Sequence, residues 1–180
     1  MNIERITYPL RLARGSHRAG SGKGCAMNVL SWMTGNQEIT DFPECSARLL
    51  ASLVQTCNDA KAYAAEFLSP QDSVVVLDLA WRTVGTGGTL HPSCQSLWIL
   101  EVNAALVKLG LEIGRGHVQM TDLGFIPVPA DDLDCWADDM IDVTRFAIDR
   151  WRELAGLNQP EDISTDDLNT ALGKMLCTQT

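Results

Sequence analysis

The chain has 180 residues, with 23 acidic and 14 basic side chains and a formal net charge of −9 at pH 7. Apolar residues make up 46 % and charged ones 21 %, a globular composition that excludes a disordered or fibrous chain. The acidity, with a sequence pI of 4.7, argues against a protein whose main work is gripping nucleic acid or an anionic membrane.

One domain spanning residues 1–180 is expected, since a chain of this length can bury a sizeable core. In residues 3–12, Ile6, Tyr8, Leu10 and Leu12 share one parity, the period of a strand with one buried face. Pro9 restricts this segment to an edge strand or a lone extended arm. Residues 13–24 form a basic, glycine-rich loop. Residues 25–33 are apolar and predict a short helix stopped by Gly35.

Asp41-Phe42-Pro43-Glu44 reads as the start of the next helix. From there Leu50, Leu53, Val54, Cys57, Ala60, Ala64, Phe67 and Leu68 recur at three- and four-residue steps, a core-facing stripe. Ser69-Pro70 ends it, because proline cannot continue a helix and restricts its predecessor. Residues 71–84 fit two patterns. Val74-Val75-Val76 favours a strand, whereas Leu77, Ala80, Trp81 and Val84 fit a helix, and the length favours the helix.

Gly85-Thr86-Gly87-Gly88 is a flexible loop, and His91-Pro92-Ser93 opens a helix with the stripe Trp98, Val102, Ala105, Leu106 and Leu109. Glycines and prolines break up residues 110–129. A small hairpin is expected there, 111–113 with 118–120, followed by an extended 125–128. Residues 130–154 carry an unbroken stripe: Leu133, Trp136, Met140, Val143, Ala147, Trp151 and Leu154. Asp131, Asp132 and Asp134 fall in its first turn and Arg150 and Arg152 in its last, matching the helix dipole, and Gly156 stops it. A last helix covers 164–176, with Ser164 and Asp167 as a capping box that uses Asp in place of Glu. The fold class is therefore mainly α: a bundle-like single domain with a short N-terminal extended segment, a small β-hairpin and acidic C-terminal helices over 130–176.

The N-terminus lacks the basic region and apolar core of a secretory signal, and no stretch approaches the roughly 20 apolar residues of a membrane helix. Cys25, Cys45, Cys57, Cys94, Cys135 and Cys177 are dispersed, with no CxxC pair. A reduced, cytoplasmic setting is the expectation.

The densest chemistry lies in Gly15-Ser16-His17-Arg18-Ala19-Gly20-Ser21-Gly22-Lys23-Gly24-Cys25. Glycines let backbone amides converge, and the loop feeds a helix N-terminus, a combination that suits an anion. Arg18, Gly20, Gly22, Lys23 and Gly24, with Asp41 and Asn58, are the candidate ligand-binding residues. The loop is not a phosphate-binding Walker loop. His17 stands where the first glycine belongs, and Gly24 replaces the hydroxyl that would hold magnesium. A polar surface loop is the plainer alternative.

Cys25 is a candidate nucleophile, because a helix N-terminus and Lys23 would favour its thiolate, and His17 is the candidate base. A cysteine phosphatase would need arginine six residues on, where Ser31 stands. The competing role for Cys25 is a buried structural thiol. His17, Cys25 and Cys45 also have ligand types that suit zinc, with Asp41 or Cys57 as a fourth, although the spacing forms no compact ligand pair. His91 suits a helix cap and His117 a surface loop. Asp131, Asp132, Asp134, Asp138, Asp139 and Asp142 lack the central glycine and terminal glutamate of a calcium loop, and read as a solvated helix face.

Five segments carry a resemblance: Gly15-Ser16-His17, Cys25-Ala26-Met27-Asn28, Asp41-Phe42-Pro43-Glu44-Cys45, Asn58-Asp59 and Gly85-Thr86. In this pattern the chain resembles a group of uncharacterised proteins from actinobacteria and their phages. The resemblance covers about the first half of the chain. It implies a source class and a residue cluster, and names no activity. Asn28 stands where many of those relatives would carry glutamate, so chemistry resting on that carboxylate would be lost here.

The charge is polarised. Residues 1–24 hold five basic and one acidic side chain, a net of +4, whereas residues 130–180 hold four basic and 12 acidic, a net of −8. Size, the lack of an established catalytic motif and this acidic half point first to a small soluble interaction protein, phage-encoded and directed at a host factor. No membrane, nucleic acid or cofactor is expected. The second reading is an enzyme or a binder of a small anionic ligand, such as a nucleotide or phosphate, built on the His17–Cys25 loop. The third is a structural zinc site at His17, Cys25 and Cys45.

Overall fold

A computed structural model describes residues 6–18, 21–36, 38–62, 65–88, 90–108, 118–121, 124–127 and 133–176. The protein is mainly α. Its helices are α1 (Ala26–Met33), α2 (Arg48–Lys61), α3 (Pro70–Arg82), α4 (Pro92–Lys108), α5 (Leu133–Ala155) and α6 (Thr165–Leu176). Strands β1 (Val118–Thr121) and β2 (Gly124–Pro127) pair antiparallel, with Val118 opposite Pro127 and Thr121 opposite Gly124. Among the described residues, no helix is long and apolar enough to cross a membrane.

Helix α2 lies at the centre, against α1, α3, α5 and β2, while α6 packs on α1 and α4 on α5. Leu50, Leu53, Val54 and Cys57 of α2 are fully buried, as are Met140, Ala147 and Ile148 of α5. Trp98 of α4 meets Trp151 of α5 edge to face at 5.1 Å, and its indole N–H donates to the Ala147 carbonyl at 2.7 Å. Burying these rings removes much apolar surface from water while leaving the indole dipole satisfied. At the helix ends, Lys61 of α2 reaches Asp72 of α3 at 3.2 Å and Asp138 of α5 at 2.5 Å. Arg150 of α5 grips Glu101 of α4 with two nitrogens.

Residues 70–82 are helical, as their length implied, with Ser69 as the cap: its side chain accepts from the Asp72 N–H at 3.1 Å. Two expectations about α2 need correction. It starts at Arg48 and not near Asp41, because residues 43–47 are held by the loop that follows α3. Gly85 and Gly87 donate their N–H groups to the Cys45 carbonyl at 2.9 and 3.1 Å, and Ala47 N–H donates to Thr86 Oγ1 at 2.9 Å. It also ends at Lys61 and does not run on to Leu68. Residues 66–68 pair instead with the N-terminal arm: Leu68 N–H donates to Leu12 O at 2.9 Å and Arg14 N–H to Glu66 O at 3.0 Å. Leu12 and Ala13 are thereby fully buried, so the arm is an extended segment with, among the described residues, one bridge, Ala13 to Phe67.

The hairpin also differs in its pairing. Residues 118–120 belong to β1 as expected, yet their partner is 124–127. Residues 111–113, Asp131 and Asp132 lie outside the described residues.

The clasp on residues 44–47 leaves no room beside Gly87. A Cβ there would stand 1.8 Å from the Glu44 carbonyl oxygen, whereas one on Gly88 would meet nothing. Gly87→Ala is expected to cost about 2 kcal/mol or more and Gly88→Ala less than about 0.5 kcal/mol. Urea denaturation of the two variants against the parent chain reads the difference.

Candidate functional site

The start of α1 is where the sequence motifs gather. Cys25 precedes the helix with an extended backbone, and Asn28, its third residue, returns Oδ1 to the Cys25 N–H at 3.2 Å. The next amide, Ala26 N–H, donates to Asn58 Oδ1 of α2 at 3.2 Å. The Asn58 amide nitrogen in turn donates to the Ala13 carbonyl at 2.9 Å and to Asp59 Oδ1 at 3.2 Å. Asp59 Oδ1 also receives the Gly15 N–H at 2.8 Å. Side chains therefore occupy two of the amides that a bound anion would use at this helix end.

Asp41 closes the other side. Its Oδ1 accepts from the Asn28 amide at 2.8 Å and lies 3.5 Å from Cys25 Sγ, and its Oδ2 accepts from Ser16. The Gln55 amide of α2 approaches Cys25 Sγ at 3.6 Å. Cys25, Asn28, Asp41 and Asn58 thus converge on one polar cluster, joined by Ser16, Gln55 and Asp59; Cys25, Asn28 and Asn58 are buried, Asp41, Gln55 and Asp59 half-buried and Ser16 exposed. Burial, the Asp41 charge and its hydrogen bond push the Cys25 thiol well above the ordinary thiol range, against the opposing pull of the Asn28 and Met27 N–H groups. The neutral thiol is the form this environment favours.

The other predicted site residues fall elsewhere. The imidazole of His17 acts electrostatically on Glu66, whose carboxylate is held low chiefly by Lys23. Its Nε2 is buried and makes no hydrogen bond to Cys25. Lys23 is ion-paired with Glu66 and lies over the Phe67 ring. Arg18 is exposed, Gly22 takes a positive φ of 73°, and Gly24 is buried against the Met175 side chain. Gly20 and His117 lie outside the described residues. Cys45 turns to Thr34 and Ser46, and Cys57 to Thr144, so the three thiols have separate neighbourhoods. Among the described residues, no group of three or more His, Cys, Asp or Glu is placed to hold a metal ion. His91 takes the expected capping place: its Nδ1 meets Ser93 Oγ at 2.7 Å at the head of α4.

Sequence reasoning passed over Gln55. The signal was its spacing: Gln55, Asn58 and Asp59 stand at i, i+3 and i+4 on a helix otherwise devoted to the core, so they share one face. A second cluster was also missed. Ser46 and Thr83 share a hydrogen bond, and Thr86 Oγ1 donates to the Thr83 carbonyl at 2.6 Å while accepting from Ala47 N–H.

Two outcomes follow from this geometry. Asn28→Asp would set a second carboxylate against Asp41, and two carboxylates in contact cannot both stay ionised. The variant is expected to lose about 2 kcal/mol at neutral pH and to recover part of it as the pH falls toward about 4. Urea titrations across that range measure this. For the thiols, burial raises Cys57 from its ordinary 9.0 to about 12, and Cys25 moves in the same direction. A raised folded-state pKa means that the folded chain holds the proton more tightly. Stability is then complete below pH 9.0 and declines as the pH rises toward 12. Between those limits Cys57→Ala is expected to reduce the slope by about 1.4 kcal/mol per pH unit.

No protein family, curated protein or solved structure matches the chain, and the site stands on its own geometry.

Proposed function

We propose that the protein is a small interaction protein whose acidic C-terminal helices engage a basic surface on a protein partner. The observation that carries this reading is the state of the carboxylates around the head of α6. Glu161, Asp162, Asp166 and Asp167 are all exposed, and among the described residues none of them forms an ion pair. On α5, by contrast, Asp138 is offset by Lys61, Asp142 by Arg145 and Glu153 by Arg150, while exposed Asp139 forms no ion pair among the described residues. Four carboxylates without an ion pair thus fall within one seven-residue stretch. Their field steers a basic partner and falls off with salt.

The resemblance of the first half of the chain to actinobacterial and actinophage proteins supports a bacterial host factor as that partner. The N-terminal cluster supports a structural role over nucleophilic chemistry, since its polar groups are engaged with one another and the Cys25 thiol is favoured as neutral.

The test is affinity capture from an actinobacterial lysate with the intact chain and with a variant carrying Glu161→Gln, Asp162→Asn, Asp166→Asn and Asp167→Asn. The expected result is one reproducible protein at low salt, lost with the variant and lost from the parent chain at high salt. Capture of nothing reproducible, or equal capture by the variant, overturns the reading.

A further inference from the structure

Helix α4 is apolar on two opposite faces. Trp98, Val102 and Leu106 are fully buried against α5. On the other side Leu97, Leu100 and Val107 are 40 %, 67 % and 55 % exposed, and Ala104 between them is exposed as well. Their steps of three, four and three residues repeat the a/d seam of a coiled coil. At about 100° per residue they fall within one quarter of the helix circumference, roughly opposite the buried stripe. Phe146 of α5, 41 % exposed, lies across a shallow cleft of about 600 Å³ that Ala104 and Ala105 line together with Glu101, Lys108, Arg150 and Glu153. An exposed apolar helix stripe of this kind marks an interaction surface.

We propose that a second copy of this chain covers this face, the two α4 helices packing antiparallel about a two-fold axis that crosses the exposed stripe between Leu100 and Ala104. Two features of the face select that occupant. The first is charge. The chain carries a net −9, so most approaches of one copy to another are repulsive. This face is balanced: α4 holds a single acid and a single base, Glu101 and Lys108, and the adjoining part of α5 adds Arg150 and Glu153. Arg150 already neutralises Glu101 and Glu153 within its own chain. Two copies meet here without net repulsion, whereas a strongly charged partner finds nothing to select it.

The second is shape. Antiparallel pairing sets Leu97 opposite Val107 and Leu100 opposite Ala104, so the most exposed side chain of each copy meets the smallest position of the other. Parallel pairing would stack Leu100 on Leu100 and leave Ala104 facing Ala104, a crowded layer beside an empty one. A two-fold interface must be self-complementary, and the antiparallel arrangement meets this by seating Leu100 against Ala104 twice. It also aligns the two helix dipoles head to tail. The surface is separate from the acidic stretch at 161–167, so the dimer and the partner reading stand or fall independently.

The test is sedimentation equilibrium of the full chain over a concentration series. The apparent mass is expected to rise from 19.7 kDa toward twice that value. Leu100→Glu is expected to hold it at the monomer mass throughout, while Leu157→Glu, an exposed leucine elsewhere, leaves the rise intact. The near-ultraviolet circular dichroism of the Trp98–Trp151 pair, on the far side of α4, confirms that Leu100→Glu remains folded. Orientation is read by mild oxidation followed by mass spectrometry of the linked peptides. A mixture of Leu100→Cys and Ala104→Cys chains is expected to cross-link 100 to 104 several-fold faster than Leu100→Cys links to itself. A parent chain that stays monomeric, a dimer that survives Leu100→Glu, or dominant linkage of 100 to 100 overturns the proposal.

Discussion

The N-terminal half of this protein is organised around one buried amide. Asn58 is fully enclosed, and a primary amide cut off from water costs on the order of 1–3 kcal/mol for each polar group left without a partner. Its oxygen is satisfied by the first amide of α1, and its nitrogen by the carbonyl of Ala13 and the carboxylate of Asp59. Those partners come from three segments distant in sequence: the extended arm, the head of α1 and the last turn of α2. Pairing this one group ties the arm, the start of α1 and the end of α2 together, alongside the Ala13–Gly24 backbone bond and the shared apolar core.

Asp41 plays the matching part from the outside. It draws Ser16, Asn28 and the Cys25 thiol onto a single carboxylate. A fully connected network of this kind is stiff, because each member fixes the orientation of the next and a partial loss leaves a buried group unpaired. The residues that look chemically active in the sequence (a cysteine at a helix head, an asparagine-aspartate pair, a glycine-rich approach) are the ones that hold the local geometry. Asn28 does the work of a capping residue. It fits beside Asp41 because it is an amide, able to donate where a carboxylate could not.

Legibility differed between elements for identifiable reasons. Helices α5 and α6 declared themselves through an apolar stripe with a glycine stop or a serine cap, whereas residues 71–84 fitted strand and helix alike and length alone favoured the helix that became α3. Helix α2 was misread at both ends. Asp41-Phe42-Pro43 resembles a helix start, yet Gly85, Thr86 and Gly87 claim the backbone of 45–47 and delay the first turn. Phe67 and Leu68 continue the apolar period, yet their segment pairs with Leu12 and Arg14. In both cases a distant strand or loop outbid the local pattern, and a single sequence contains no record of that competition. Helix α4 posed a different problem. Its buried face was read correctly, but its outer leucines passed unnoticed because periodicity cannot say which of two apolar faces meets the core.

Local chemistry in the sequence was enough to determine the mainly helical fold, the breaks at Gly35 and Gly156, and the split of charge between a basic N-terminal loop and an acidic C-terminal half. Those properties depend on spacing, backbone restriction and counting, all of which act over a few residues. Only the tertiary structure decided that Cys25, Asn28, Asp41 and Asn58 would meet while His17 and Cys45 would not, that the Cys25 thiol would be buried beside a carboxylate, and that one face of α4 would be left uncovered. Each of these depends on which distant segments share a hydrogen bond or exclude water together, and that is settled by packing in three dimensions.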